Sequence, residues 1–198
     1  MKNNIIIGPW LVDRPRMARV AAIEAATVDA VEAAYRGINP LSIEGVPGHF
    51  DAKRVLEVAA VGGHQVAFEG TDRLASVALI LAFSSIGGNW SRSDGARPAC
   101  LVCRVDRLSE ADLANPAPEE PATLILARVL KAREFLASVL HTSEEAAELA
   151  AIANTRGGYA TEATLAVART LAAMDSMTTI SRLHVAEAIS YMPKPEVK

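Results

Sequence analysis

A mostly helical fold with a small α/β part is predicted, and three observations predict it. Apolar residues make up 51% of the 198-residue chain while aromatics make up only 5%, so Ala, Leu, Val and Ile must fill the core, a palette suited to close-packed helices. A single strand-turn-helix pattern stands in the first half, at residues 64–86. Finally, three prolines within Asn115-Pro-Ala-Pro-Glu-Glu-Pro121 block both helix and central strand, and beyond them the apolar spacing is helical to the end. The chain accordingly divides into a helical extension (1–40), a reduced α/β core (41–114), a Pro-rich linker (115–121) and a four-helix bundle (122–198).

Residues 14–36 read as one alanine-rich helix, with Met17, Val20, Ile23, Val28, Val31 and Tyr35 among its apolar positions, ended by Gly37. Asn39-Pro40 and the glycines between Ile43 and Gly48 make a loop. A helix follows from Phe50 to about Ala60, closed by Gly62-Gly63. Residues 65–69 form the best candidate for a buried strand, and a helix is expected over 74–86. The polar stretch 91–97 reads as an exposed loop before a second strand at 99–105. In the bundle, helices are expected over 122–140, 143–154, 161–174 and from Ser181 to just before Pro193, with Thr142 and Glu145 proposed as a capping box.

Charge and apolar run length both bear on partners. A net charge of -3 argues against nucleic acid, whose phosphates need clustered Lys and Arg. Arg14, Arg16 and Arg19, and likewise Arg128, Lys131 and Arg133, recur at helical spacing and read as solvated helix faces. The longest apolar run, Leu74 to Phe83, falls well short of the roughly 20 residues that span a bilayer. The first residues lack the features of a secretory signal. Two cysteines and no export signal make the cytoplasm the expected compartment, with no membrane partner.

The turn after the first strand carries the most telling residues. Gly70-Thr-Asp-Arg-Leu-Ala-Ser-Val77 occupies the place of a phosphate loop, G-x-x-x-x-G-K-[ST], but Ala75, Ser76 and Val77 stand where the second glycine, the lysine and the magnesium hydroxyl are needed. Gly70, Thr71, Asp72, Arg73 and Ser76 are the candidates for any remaining nucleotide contact. A cupped turn with convergent N–H groups would keep that option open, whereas a helix starting at Asp72 or Arg73 would close it. Asp106, at the end of the second strand, is followed by Arg107 rather than an acid and reads as half of a surface ion pair. Cys100 and Cys103 fall on opposite faces of a strand and read as small buried hydrophobes. His64 and His184 read as structural; no catalytic residue and no metal site is assigned.

Two blocks resemble the magnesium-chelatase-like AAA+ ATPases, the group that includes the ComM-type proteins. Val46-Pro-Gly-His-Phe-Asp-Ala-Lys-Arg-Val-Leu-Glu-Val-Ala-Ala-Val-Gly-Gly-His64 is similar to the family's VxGQxxAKRALExAAAGGH lead-in, and without a gap it puts Gly70 on the first glycine of the P-loop. The second block runs from Leu108-Ser-Glu-Ala-Asp-Leu113 and Ala127-Arg-Val-Leu-Lys-Ala-Arg-Glu134 to Val167-Ala-Arg-Thr-Leu-Ala172 and His184-Val-Ala-Glu-Ala-Ile-Ser-Tyr191. It is similar to the helical lid of ComM-like proteins, with VARTIADL and HVAEALQYR in that order.

The resemblance implies a reduced AAA+-like P-loop core followed by a helical lid. The long family segment bearing the Walker B acids, sensor 1 and the arginine finger has no counterpart here, and the lid's sensor-2 arginine falls near Tyr159, with Arg156 as a displaced substitute. The implied protein does not hydrolyse nucleotide and expects no cofactor. It works through protein–protein contacts, self-associating or joining a complete AAA+ relative. The alternative is an ATPase with an altered loop, binding ATP and magnesium; a third reading, DNA association, has the acidic balance against it.

Overall fold

The computed structural model describes residues 5–7, 42–89, 100–109, 112, 117–139 and 141–193. The helix expected over 14–36 and the loop expected over 91–97 lie outside these residues. Most of what is described is helical, with two small sheets.

The first sheet has the order β1-β2-β3, from Ile5–Ile7 (β1), Gln65–Glu69 (β2) and Cys100–Arg104 (β3). β2 and β3 run parallel with Gln65 opposite Cys100, and β1 lies antiparallel with Ile5 opposite Phe68. Within the 1–40 segment, residues 5–7 lie ahead of the expected helix and form this strand. The run Ile5-Ile-Ile7 is β-branched throughout, and pairing it with β2 covers an edge that a short sheet would leave open.

Helix α1 (Phe50–Gly62) is the centre of the molecule, packing on β3 and on the bundle helices α3 (Ala122–Leu136) and α5 (Thr161–Met174). Val55, Leu56, Val58, Ala59, Ala60 and Val61 are all buried along it. Gly63, left-handed at φ 65, ends the helix. Between β2 and β3 lies α2 (Arg73–Ala82), which tightens into a 3-10 turn over Phe83–Ile86 instead of continuing as α-helix to Ile86.

In the bundle, α3 stops at Leu136, earlier than the expected 140, and α4 (Glu144–Gly157), α5 and α6 (Arg182–Tyr191) follow. The cap of α4 is Ser143, whose hydroxyl accepts from the Ala146 N–H at 3.2 Å. The capping box assigned to Thr142 and Glu145 is therefore one residue out of register. Thr142 belongs instead to β4 (His141–Thr142), which pairs in parallel with β5 (Thr179–Ile180). At α6 a capping box does form, with His184 accepting from the Ser181 N–H.

Buried residues of the α/β part and of the bundle form one contiguous cluster, from Ile43 through Leu79 and Leu101 to Val129, Leu171 and Val185. Polar ties run along the same seam. Lys53 pairs with Glu119, which also accepts from the Gly48 N–H, and Glu44 accepts from the Ala122 N–H at the start of α3. The described part of the Pro-rich linker is thus stitched to α1 and its approach.

Arg128 pairs with Glu57 and Glu120, while Arg133 donates to the carbonyls of Ala60 and Gly87. These two arginines were read as a solvated face; they neutralise a buried glutamate and cap the last turn of α1.

Candidate functional site

The β2–α2 turn is built from its own hydrogen bonds. Asp72 is the N-cap of α2 and its carboxylate accepts from the Ala75 N–H at 2.9 Å; the Asp72 carbonyl accepts from the Ser76 N–H and hydroxyl, at 3.1 and 2.7 Å. The helix therefore begins at Arg73. The Asp72 N–H donates to the Val105 carbonyl at 3.0 Å. The Thr71 N–H and hydroxyl both donate to the Asp106 carboxylate, each at 3.1 Å.

In a phosphate loop, backbone N–H groups of this kind face the anion. Here those of Thr71, Asp72, Ala75 and Ser76 are satisfied within the protein, two of them by carboxylates.

Asp106 was expected in a surface ion pair. Its observed partner is Thr71, because the end of β3 runs beside the turn and presents a carboxylate to free backbone donors. Gly70 is fixed by the same approach. Its φ of 131° is in the region that favours glycine, and a Cβ there would lie 2.1 Å from the Val105 oxygen. Ser76 is buried and Arg73 exposed. The structure thus brings Gly70, Thr71, Asp72, Arg73 and Ser76 into one turn. Arg156 stands in the last turn of α4, a helix that packs on α5 and α6.

His64 is the second residue of note. Its Nε2 lies 2.9 Å from the Thr170 hydroxyl on α5, and that hydroxyl donates its own proton to the Ala166 carbonyl at 3.1 Å. The imidazole must then carry its proton on Nε2 and leave Nδ1 as a bare acceptor, and Nδ1 is buried without a partner. Burial pushes the His64 pKa down to about 4. Gly62 makes room for this latch, since a Cβ there would meet His64 at 2.2 Å and Thr170 at 2.4 Å. His184 makes its contacts at the start of α6, to Ser181 and Asp175.

A cleft of about 1040 Å³ opens between the approach to α1, β3 and the end of α6. Val55, Val102, Leu108 and Met192 supply apolar wall; His49, Asp51, Arg104, Asp106, Asp112 and Tyr191 supply polar groups. His49 is held in the left-handed region at φ 53, and burial lowers its pKa. The Ser109 hydroxyl and N–H hold the Asp112 carboxyl below its usual range. Burial, with the Glu187 carboxylate accepting from its hydroxyl at 2.8 Å, pushes Tyr191 up to about 12.

No sequence signal marked this cleft, because its walls come from three distant stretches. Among the described residues no group of three or more His, Cys, Asp or Glu is placed to hold a metal ion, and no helix is long and apolar enough to cross a membrane. Cys103 is a free, buried thiol whose pKa burial raises to about 12.

The chain matches no protein-family model, no curated protein and no solved structure.

Proposed function

We propose that the chain is a non-hydrolysing protein of the magnesium-chelatase-like AAA+ type, acting in the cytoplasm through protein–protein contacts with a second copy or a complete AAA+ relative. The observation that carries this reading is the closed turn at Gly70–Ser76. A phosphate entering there must displace the Asp72 and Asp106 carboxylates from the N–H groups they hold, and it meets neither lysine nor magnesium hydroxyl in return. Phosphoryl transfer is almost wholly positioning and charge neutralisation, so a turn occupied by two acids works against it. The seam of ion pairs and shared core between the α/β part and the bundle supports the same reading, because it favours a fixed binding surface over a lid that swings with nucleotide.

Calorimetric titration with ATP and magnesium tests the chemistry. No saturable heat is expected up to millimolar nucleotide; a binding isotherm would favour the altered-loop ATPase. Light scattering and co-purification from the native cell test the interaction. A strict monomer that brings down no AAA+ protein would overturn the reading.

A further inference from the structure

The outer edge of β3 points to a receiving site for a partner strand. Val105 directs both its backbone groups toward β2 and the turn, its N–H to the Glu69 carbonyl at 2.7 Å and its carbonyl to the Asp72 N–H. Along an extended strand these directions alternate residue by residue. Val102 and Arg104 therefore turn their N–H and C=O groups to the opposite edge. The sheet order ends at β3, so among the described residues no strand pairs with that edge. The same two residues line the 1040 Å³ cleft.

We propose that this edge and cleft bind an extended segment of a partner protein whose side chains alternate between apolar and basic, by adding it to the sheet as a strand. Main-chain pairing gives such a complex its register, and the cleft reads every second side chain. Val55, Leu108 and Met192 offer apolar wall to one set. Charge decides the rest: among the described residues Asp51, Asp106 and Asp112 line the cleft against a single arginine or lysine, Arg104. The burial that lowers the His49 pKa keeps that side chain from offsetting the acids near neutral pH. A second copy of this chain is a poor occupant, because joining two β3 edges would bring the two sets of aspartates together. The inference rests on the reading of the chain as a protein-binding module, but not on its AAA+ ancestry.

The test uses the full chain and a blocked peptide of about eight residues alternating valine and lysine, within ordinary strand length. Fluorescence anisotropy should show saturable binding, and amide NMR should place the shifts at Val102 and Arg104. Methylating alternate backbone nitrogens of the peptide, in the two possible phases, should weaken binding at least about tenfold in one phase, the scale of lost and unsatisfied hydrogen bonds. Replacing lysine by glutamate should weaken it similarly.

In the protein, Arg104→Pro removes the outward N–H at an edge position where proline is tolerated and should match the methylation effect, whereas Arg104→Ala keeps that N–H, takes a cation out of the cleft and should bind the basic peptide more tightly than the parent. If Arg104→Pro does not fold, the methylated peptides decide. The proposal is overturned by equal affinity in both methylation phases, by tolerance of glutamate, or by no saturable binding at millimolar peptide. Loss of peptide binding alongside retained association with an AAA+ protein would sink this site and leave the proposed function standing. Peptide binding with no AAA+ partner would do the reverse.

Discussion

Acidification should loosen the seam between the α/β part and the bundle through His64. The imidazole is neutral and buried, its Nε2–H donates to Thr170, and a proton added at Nδ1 would find no acceptor. Its folded pKa is about 4 against 6.5 for a free histidine, so the unfolded chain binds the proton first as pH falls. Stability is then fully present above about pH 6.5 and is lost progressively down to about pH 4. At 1.36 kcal/mol per unit, the fall from pH 7 to 4.5 removes roughly 2 to 3 kcal/mol, or several degrees of Tm in a chain of this size.

The assay compares urea unfolding of the parent and His64→Gln across that range, since an amide keeps a donor for Thr170 and cannot titrate. The parent should lose about 2 to 3 kcal/mol more than the variant. Parallel pH profiles for the two proteins would refute the argument.

Gly70→Ala should destabilise the fold by at least about 2 kcal/mol, read as a lowered urea midpoint, because the new methyl meets the Val105 carbonyl in a backbone region hostile to Cβ. Glu119→Ala should cost about 3 kcal/mol by leaving Lys53 unpaired in a mostly buried place, while Lys53→Met with Glu119→Leu should cost far less; equal losses in a double-mutant cycle would count against the pair. In a Cys100→Ser background, Cys103 should resist a thiol reagent at pH 8 and react at once in denaturant, given its burial and a pKa near 12.

Local patterns in the sequence carried most of the helices. The expected bounds 161–174 for α5 and 65–69 for β2 coincide with the observed ones; Gly63 and Gly70 bracket β2, and Gly157-Gly158 break the chain just before α5, which starts without a side-chain cap. α3 stops at Leu136, whose carbonyl accepts from Arg169 of α5, whereas the apolar periodicity of the sequence runs on past it. The turn at Gly70 was legible from its glycine between strand and helix, yet Asp106 as the partner of Thr71 was not, since they are 35 residues apart. Glu119 gave even less away: it sits between prolines that announce a linker, and only the fold sets it against Lys53 and Gly48. β4 and β5, two residues each, leave no periodic trace.

The shared core has a consequence for how the molecule comes apart. Val129, Leu171 and Val185 of the bundle pack into the same buried cluster as Val58 and Leu101, so neither half has a finished interior by itself. A cut in the Pro-rich stretch yields two fragments with raw apolar faces, each short of the core it needs. Amide exchange in α1 and α5 should then report a single opening event with one free energy, since the helices that carry the seam have no separate state to visit.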